Sequence, residues 1–331
     1  MAQTTTIAGV PIAKIGHGLM SMTCVPEPPS DEQCFESLIA GIDSAPPGVK
    51  VFLNAGEFYG TPANINANLD LLNRFFTKYP QGQPLFQSLA LLGIVHLCCD
   101  ATSPAGLERS IKNIIEKLGP NKRLDLFEPA RVDPKIPIEE TMAILNKYGL
   151  DRLDCLNALQ PHLNGRARHV GKVAVVEIEV SFWSYEEETR EVISKAAEIG
   201  AVVAAYSPLG QGVLTGNMNP TQLHKDDYRN HYPRFQEEAF KNNMKLVDAL
   251  KVIAERKNIT PAQLCLAWVS SLGPHVVPIP SSTRATRTLE NVSAASIELS
   301  EQDLEEIRRA MDLNPVSGDR YSKEIMKTVW G

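Results

Sequence analysis

Short apolar runs alternate with longer amphipathic segments along most of this chain. The runs with the length of strands are Val51–Asn54, Leu124–Phe127, Val175–Val180, Val202–Tyr206 and Val276–Ile279. The segments with helical periodicity are Ser30–Ile42, Asn66–Tyr79, Pro104–Lys117, Ile138–Lys147, Glu186–Ile199, Met244–Lys257 and Pro261–Ser271. Repeated alternation of a strand and a helix predicts an α/β fold with a parallel sheet, either doubly wound or closed into a barrel.

Two of these helices carry clear start signals. Ser30 is an N-cap residue followed by two acids, and Thr260 is an N-cap residue followed by a proline at the first helical position. The Gly-x-Gly-x-x-Gly fingerprint of the common dinucleotide-binding fold is absent. Because no low-complexity linker divides the 331 residues, we predict one (α/β)8 TIM barrel that forms a single domain over residues 1–331.

Composition and charge narrow the class of protein. The chain is 43% hydrophobic and 22% charged with a net charge of −6, which is globular composition and gives no general attraction to nucleic acid or to an anionic membrane. Its longest apolar stretch, Leu85–Cys99, is shorter than the ~20 residues that span a bilayer. The first residues do not read as a secretory signal, and the six cysteines are not spaced as zinc ligands. We therefore expect a cytoplasmic protein with reduced thiols and no metal.

Four segments, in this order, resemble the aldo-keto reductase family. They are Ile15–Met20 (IGHGLM), Asn54–Gly60 (NAGEFYG), Ala205–Gly212 (AYSPLGQG) and Ile279–Asn291. The sequence around these segments is similar to the fungal pyridoxal reductase branch, and the resemblance covers nearly the whole chain. It implies a barrel that binds NADPH across the carboxyl ends of its strands and reduces a small-molecule carbonyl, such as pyridoxal, to an alcohol.

The resemblance gives Tyr59 the role of proton donor to the carbonyl oxygen. A phenol suits this role because it is neutral near pH 7 and can donate into an oxyanion as charge develops. A loop tyrosine that packs on its neighbours is the alternative for the same residue taken alone.

The resemblance also implies a set of cofactor contacts. Ser282 and Arg284 meet the 2′-phosphate, Arg287 flanks the adenosine, and Glu290 and Asn291 lie near the adenine. Hydroxyls and arginines at the start of a helix over Thr288–Ala295 suit phosphate oxygens and favour NADP over NAD. The other cofactor-binding residues that it implies are Met20, Glu177 (against the nicotinamide amide), Ser207, Leu209, Gln211, Gly212, Ser281 and Thr283. The alternative for the arginines is a solvated helix face.

The catalytic residues depart from the family pattern at three positions. Asn54 stands where the family has aspartate, and Ala130 stands where it has histidine, as in the pyridoxal reductase branch. The family lysine is missing, and Ala90 is the residue that local alignment places there. Without that ammonium we expect the pKa of Tyr59 to stay near its ordinary high value and turnover to fall. A lysine at position 90 is then expected to recover some activity only if this stretch folds as the expected strand with residue 90 pointing into the barrel mouth.

The family pattern is lost in two regions, residues 80–103 and 148–168, where the predicted barrel strands are open to disruption. The codons of Arg152–Gly165 can also be read in another frame, starting at the third base of each codon. With permitted codon choices, this frame encodes IGLSECSAATLERA, a sequence that resembles the family at this place. We hypothesise that this segment is translated out of frame. Genuine divergence with rebuilt strands is the competing explanation, and a uniform frame in the transcript would support it.

Three interpretations of function follow. The first is an NADPH-dependent reductase, and the second is a catalytically weak NADP-binding regulatory scaffold of the same fold. In the third, the written chain cannot close its barrel and aggregates through exposed strand edges. The missing lysine beside intact phosphate contacts is the feature that separates the first two.

Overall fold

The fold begins with a hairpin that covers one end of the main sheet. The computed structural model describes residues 3–80, 90–96, 103–129, 136–147, 154–157, 173–219 and 222–326. Strands β1 (Thr4–Ile7) and β2 (Val10–Ala13) pair antiparallel around a turn whose two residues, Ala8 and Gly9, both have positive φ. Such turns match the twist of a two-residue hairpin. The hairpin bonds to Lys50, just before the next long strand, and so lies at the amino ends of the barrel strands.

Eight parallel strands follow in sequential order around the sheet. They are β3 (His17–Gly18), β4 (Val51–Gly56), β5 (Ala90–His96), β6 (Leu126–Pro129), β7 (Asp154–Asn157), β8 (Val173–Glu179), β9 (Val202–Tyr206) and β10 (Val276–Pro278). The edges meet at a seam, where the amides of Gly16 and Gly18 donate to the carbonyls of Pro278 and Pro280 at 2.9 and 3.0 Å. Gly18 also forms a parallel bridge with Ser281. These contacts close the sheet, and the predicted (α/β)8 barrel is confirmed.

Helices form the outer layer. They are α1 (Asp31–Asp43), α2 (Ala67–Lys78), α3 (Pro104–Leu118), α4 (Ile138–Lys147), α5 (Glu187–Ile199), α6 (Glu237–Arg256), α7 (Pro261–Ser271), α8 (Ala285–Ser293), α9 (Glu301–Leu313) and α10 (Lys323–Met326). Both predicted start signals are confirmed: the Ser30 hydroxyl accepts from the amide of Gln33, and Thr260 forms a capping box with Gln263. In the described residues, no helix is long and apolar enough to cross a membrane.

The alternation of side chains along each strand separates an inner from an outer core. On β4, Phe52 belongs to the cluster inside the barrel, whereas Val51, Leu53 and Ala55 belong to the cluster under the helices. Because side chains on a strand alternate between faces, Asn54 continues the inner row. The inner cluster is completed by residues of the hairpin and other strands: Ile7, Ile12, Leu126, Ala174, Val175, Val202, Ala204, Val277 and Ile279.

Both regions that lost the family pattern contribute a strand to this barrel. β5 pairs with β4 along six residues and with β6 on its other side. β7 is shorter, and its pairing with β8 shifts register between Asp154 and Cys155. The sheet is therefore continuous through both regions, and the expected disruption is absent from the described backbone. Residues 81–89, 97–102, 148–153 and 158–172 lie outside the described residues, so the frame hypothesis stays a prediction.

Candidate active site

Tyr59 lies just beyond the carboxyl end of β4, with its ring folded back over the strand. Its amide donates to the carbonyl of Gly56 at 3.2 Å, and its carbonyl accepts from the Thr23 hydroxyl at 2.7 Å. A Cβ on Gly56 would come within 2.7 Å of the tyrosine ring, so only glycine permits this close approach. Tyr59 is 9% exposed, which leaves its side chain in a largely dry barrel mouth.

A buried carboxylate anchors the loop that carries Tyr59. Glu57, two residues earlier, accepts from the Ser110 hydroxyl at 2.7 Å and from Asn113 Nδ2 at 2.6 Å. Arg109 approaches the same carboxylate at 3.3 Å from the helix surface. All three donors are on α3, so this helix fixes the loop after β4. Sequence reasoning missed this anchor; its only signal was a pair of polar residues three positions apart on a helix.

Two asparagines at the start of α2 hold the other side of the same loop. Asn68 accepts from the Gly56 amide at 3.3 Å and donates to the Leu19 carbonyl at 3.1 Å and to Thr23 Oγ1 at 2.9 Å. Asn66 Nδ2 donates to the Glu57 carbonyl at 3.0 Å. These bonds join the loop to the segment after β3, so the proposed proton donor is held from both neighbouring strands.

Asn54 and Glu177 meet inside the barrel. Asn54 Nδ2 donates to Glu177 Oε2 at 2.5 Å, and both residues are buried. β4 and β8 are not adjacent strands, so this bond crosses the interior of the barrel. Sequence reasoning assigned one residue to catalysis and the other to the nicotinamide, and the structure places both beside each other at the mouth.

The phenol of Tyr59 lies in an acidic environment. Burial is the largest effect and raises its pKa well above the ordinary value, and the charges of Glu177 and Glu128 raise the pKa further. Cys24 and Tyr206 act in the same direction. This direction differs from the expectation of an ordinary value, and burial of the phenol is its first cause.

The strand register gives the level of Ala90 relative to Asn54 in the sheet. Ala90 pairs with Val51 at the start of β4, whereas Gly93 pairs with Asn54. Three residues of strand separate the two levels, or about 10 Å. Position 93, and not position 90, is therefore level with Asn54 in the sheet. Ala130 lies outside the described residues.

The loop after β9 has an unusual backbone. Ser207 and Gln211 both have positive φ, at 48° and 54°, and Gly210 and Gly212 between and after them do as well. Non-glycine residues hold this conformation at a cost of about 1–3 kcal/mol, and such strain concentrates at binding sites. Gln211 Oε1 is buried and, among the described residues, has no hydrogen-bond partner. Leu209 anchors the loop by packing against Ile15 and Leu266.

An arginine that sequence reasoning missed lies over this loop. Arg229 Nη1 donates to the Gln211 carbonyl at 2.9 Å. The Asp227 carboxylate accepts from Arg229 Nε at 2.9 Å and from Nη2 at 2.6 Å, which fixes the guanidinium in place. A Cβ on Gly212 would lie 3.9 Å from Arg229 Nη1, so the arginine side chain is close to this loop glycine.

The segment after β10 supplies the second candidate cofactor loop. Ser282 is buried, and its carbonyl bonds with a His17 ring nitrogen and the Ser37 hydroxyl, both at 3.1 Å. Arg284 and Arg287 are exposed at the start of α8, where no acidic residue occupies the first turn. Two exposed guanidiniums at the positive end of a helix form a surface suited to a phosphate group.

The remaining predicted cofactor residues lie along the seam and on α8. The Ser281 hydroxyl is 2.5 Å from that of Ser21, which follows the half-buried Met20 in a 3-10 turn. Gln33 Nε2 donates to the Thr283 hydroxyl at 3.3 Å. Glu290 accepts from the Thr260 hydroxyl at 2.7 Å, so it is tied to α7. Asn291 is a buried residue of α8.

Tyrosines line the side of the mouth opposite α3. Tyr228 and Tyr232 have ring centroids 5.5 Å apart, and Tyr232 and Tyr321 have centroids 5.2 Å apart. Tyr321 donates to Glu179 Oε2 at 2.7 Å and lies 3.5 Å from the hydroxyl of Tyr206 at the end of β9. These four residues, which we call the tyrosine wall, bring the last described segment of the chain against the barrel mouth.

This chain matches known proteins along most of its length. The aldo/keto reductase family model matches residues 14–312. "Probable pyridoxal reductase 2" from Schizosaccharomyces pombe is 29% identical over 98% of both chains. Glycerol dehydrogenase from Gluconobacter oxydans has a similar structure, with a TM-score of 0.79 at 20% identity over 96% of this chain and 98% of that chain. An aldo-keto reductase from Klebsiella pneumoniae in complex with NADPH has a TM-score of 0.68 at 20% identity over 97% and 98%.

Proposed function

Because this chain belongs to the aldo/keto reductase family, we propose that it reduces an aldehyde or ketone to an alcohol with NADPH, and that pyridoxal is a substrate. The observation that carries the proposal is the position of Tyr59. Its phenol lies in a dry mouth at the carboxyl ends of the strands, on the same rim as two loops suited to a dinucleotide phosphate.

The two loops fit NADPH by their own chemistry. The strained loop over Ser207–Gly212 presents a buried Gln211 oxygen that has no hydrogen-bond partner in the described part of the chain and that a donor group of the cofactor can satisfy. Arg284 and Arg287 extend from the positive end of α8, which suits the extra phosphate of NADPH over the hydroxyl of NADH. Ser282 is already held by His17 and Ser37, so the loop is preorganised.

The chain's own residues then supply the proton. When bound, NADPH supplies a hydride to the carbonyl carbon, and Tyr59 donates a proton to the carbonyl oxygen. A pKa held well above its ordinary value keeps this phenol protonated at neutral pH but makes it a weaker acid, so we expect slower donation than from a phenol of ordinary pKa. Thr23 and Glu57 fix the donor's backbone before any substrate arrives.

The tyrosine wall supports a planar aromatic substrate. Aromatic side chains favour offset-stacked and edge-on contacts with other rings, so a pyridine ring such as that of pyridoxal has suitable neighbours. The name of the fungal relative points to the same substrate. The weak NADP-binding scaffold remains the second candidate, and the observation that favours it is the acidic surroundings of Tyr59 in place of a lysine.

A cofactor titration tests the first half of the proposal. We expect NADPH to bind more tightly than NADH, and Arg284→Ala to weaken NADPH binding about tenfold, because a charge-assisted hydrogen bond is worth about 1.5–3 kcal/mol. The binding of NADH should hardly change. Arg309→Ala, which removes an exposed arginine from α9, is the matched control. Equal affinities for the two cofactors in the unaltered protein would contradict the assignment.

An activity assay tests the second half. NADPH oxidation is measured with pyridoxal and with simple aliphatic aldehydes, and pyridoxal should be the better substrate. Tyr59→Phe should reduce the rate about 10²–10⁴-fold while leaving NADPH affinity within a factor of about two. Tight NADPH binding without any carbonyl reduction would instead establish the scaffold function.

A further inference from the structure

The segment that precedes Tyr321 is fixed to the barrel through its backbone. Asn243 of α6 bonds twice with Ser317: its Nδ2 donates to the serine carbonyl at 3.0 Å, and its Oδ1 accepts from the serine amide at 2.7 Å. Arg234 Nε donates to the Gly318 carbonyl at 3.1 Å. These bonds hold the backbone of the segment independently of the side chains that follow it.

Tyr321 extends from this anchored segment into the mouth. It is 9% exposed, and its hydroxyl donates to Glu179 Oε2 at 2.7 Å, whereas the hydroxyl of Tyr206 is 3.5 Å away. Its ring meets that of Tyr232 edge-on, with centroids 5.2 Å apart. Burial, followed by the charge of Glu179, raises the pKa of the Tyr321 phenol, so this phenol keeps the proton that it donates. The bond to Glu179 therefore fixes the orientation of the ring.

Glu179 is itself held in place at a defined level of the barrel. It is 4% exposed, and its Oε1 accepts from the Ser184 hydroxyl at 2.8 Å. In the sheet it pairs with Tyr206, and it follows Glu177 by two residues. Because inward side chains repeat at every second residue of a strand, Glu179 lies about 7 Å nearer the rim than the bond between Glu177 and Asn54.

Tyr59 and Glu179 stand on opposite sides of the mouth. Tyr59 lies just beyond β4, Glu179 is the last residue of β8, and these strands are four positions apart in the ring of eight. A short aldehyde that reaches the Tyr59 phenol therefore does not extend to the tyrosine wall. A carbonyl compound that carries a ring extends further from the phenol, and its far end meets Tyr321.

We propose that Glu179 is a positioning residue for substrate choice: by holding the Tyr321 hydroxyl, it sets the tyrosine wall to receive aromatic aldehydes in preference to short aliphatic ones. This inference rests on the proposed function. Glu179 acts through Tyr321, and neither residue takes part in the transfer of the hydride or the proton.

The expected size follows from the population of the oriented ring. A hydrogen bond to a charged acceptor shifts an equilibrium about tenfold or more. Without this bond the ring takes other orientations, and the KM for an aromatic substrate should rise about tenfold, in proportion to the population that is lost. The hydrogen bonds described for Glu179 go to Ser184 and Tyr321, and not to the Tyr59 loop or the cofactor loops. Both kcat and NADPH affinity should therefore stay within a factor of about two.

Steady-state kinetics with pyridoxal and propanal test the proposal. Tyr321→Phe removes the bond alone, and Glu179→Ala removes the acceptor. Each should raise the KM for pyridoxal about tenfold and leave the KM for propanal within a factor of about two. Glu179→Gln keeps an acceptor oxygen and should lose less. The double variant should lose no more than the larger single change, because both delete the same bond. Tyr185→Phe, which alters a ring packed on Trp268 of α7, is the matched control.

A binding measurement separates the possible failures. The affinity of the alcohol pyridoxine for the complex with NADP+ should fall about tenfold in Tyr321→Phe, while the Kd for NADPH stays the same. If this variant keeps its KM for pyridoxal and its affinity for pyridoxine, the proposal is wrong. An equal rise in KM for both aldehydes also overturns it, since that is general damage to the mouth. An unaltered protein that reduces neither aldehyde refutes the proposed function itself.

Discussion

Removing the Glu57 carboxylate tests whether α3 positions the proton donor. Glu57→Ala deletes two short hydrogen bonds, from Ser110 at 2.7 Å and Asn113 at 2.6 Å, and leaves Ser110 buried without its acceptor. Bonds to a charged acceptor are worth about 1.5–3 kcal/mol each, and the half-exposed Arg109 adds little. We expect the free energy of unfolding to fall by about 3–5 kcal/mol.

The loss should reach Tyr59 through two residues of backbone. A displacement of about 1 Å at a reacting group can cost up to about 10²-fold in rate, so kcat should fall about 10–100-fold. Cofactor affinity should stay within a factor of about two, because the side-chain donors described for Glu57 belong to α3 and not to the loops after β9 and β10. NADPH titration, single-turnover oxidation and thermal unfolding measure the three quantities.

Graded variants separate positioning from general damage. Glu57→Gln keeps the side-chain length and one acceptor oxygen, so its loss in kcat should be smaller than that of Glu57→Ala. Glu116→Ala changes an exposed carboxylate on the same helix and should leave kcat and stability unchanged. An unchanged kcat in Glu57→Ala, or a loss of cofactor affinity as large as the loss of kcat, would refute the reasoning.

Two further predictions address acid stability and the missing lysine. Hydrogen bonds from Lys257 and Ser300 outweigh burial and hold the pKa of Asp303 below its ordinary value, so its contribution is present above pH ~4 and is lost as the pH falls further. Asp303→Asn should therefore lower the unfolding free energy at pH 7 by about 1–3 kcal/mol, and the difference in urea unfolding should shrink below pH ~4; a constant difference would contradict this. Gly93→Lys should raise the rate of carbonyl reduction more than Ala90→Lys, because position 93 is level with Asn54. If Ala90→Lys gave the larger increase in NADPH-oxidation assays, the strand register would not explain which lysine position restores activity.

The elements that sequence reasoning predicted are those with a local signal. α4 was predicted with its observed bounds, since Ile138–Lys147 is amphipathic and ends on a lysine. α6 begins at Glu237 and not at Met244; Phe240 lies four residues before Met244 and packs on the same core, a signal that the prediction missed. The β1–β2 hairpin was missed, although Ala8-Gly9 between short apolar runs is a turn signal.

The site was predicted as a set of positions but not as a set of contacts. Asn54 and Glu177 are 123 residues apart, and no local pattern indicates that they share a hydrogen bond. The same holds for Arg229 over Gln211 and for the donors of α3 around Glu57. The raised pKa of Tyr59 comes from burial first and then from the charges of Glu177 and Glu128, and no local pattern around the tyrosine indicates these effects.

The seam between β3 and β10 makes the order of synthesis matter. Ser21 and Ser281 bond across it although 260 residues separate them, so the first barrel strand has no second neighbour until almost the whole chain has left the ribosome. Until then the growing sheet has two open edges, which can pair with other chains. A cofactor that contacts residues on both sides holds the finished ring shut, and any ligand of the native state alone reduces the opened population that proteases attack. We therefore expect the supply of cofactor in the cell to govern the lifetime of this protein as well as its turnover.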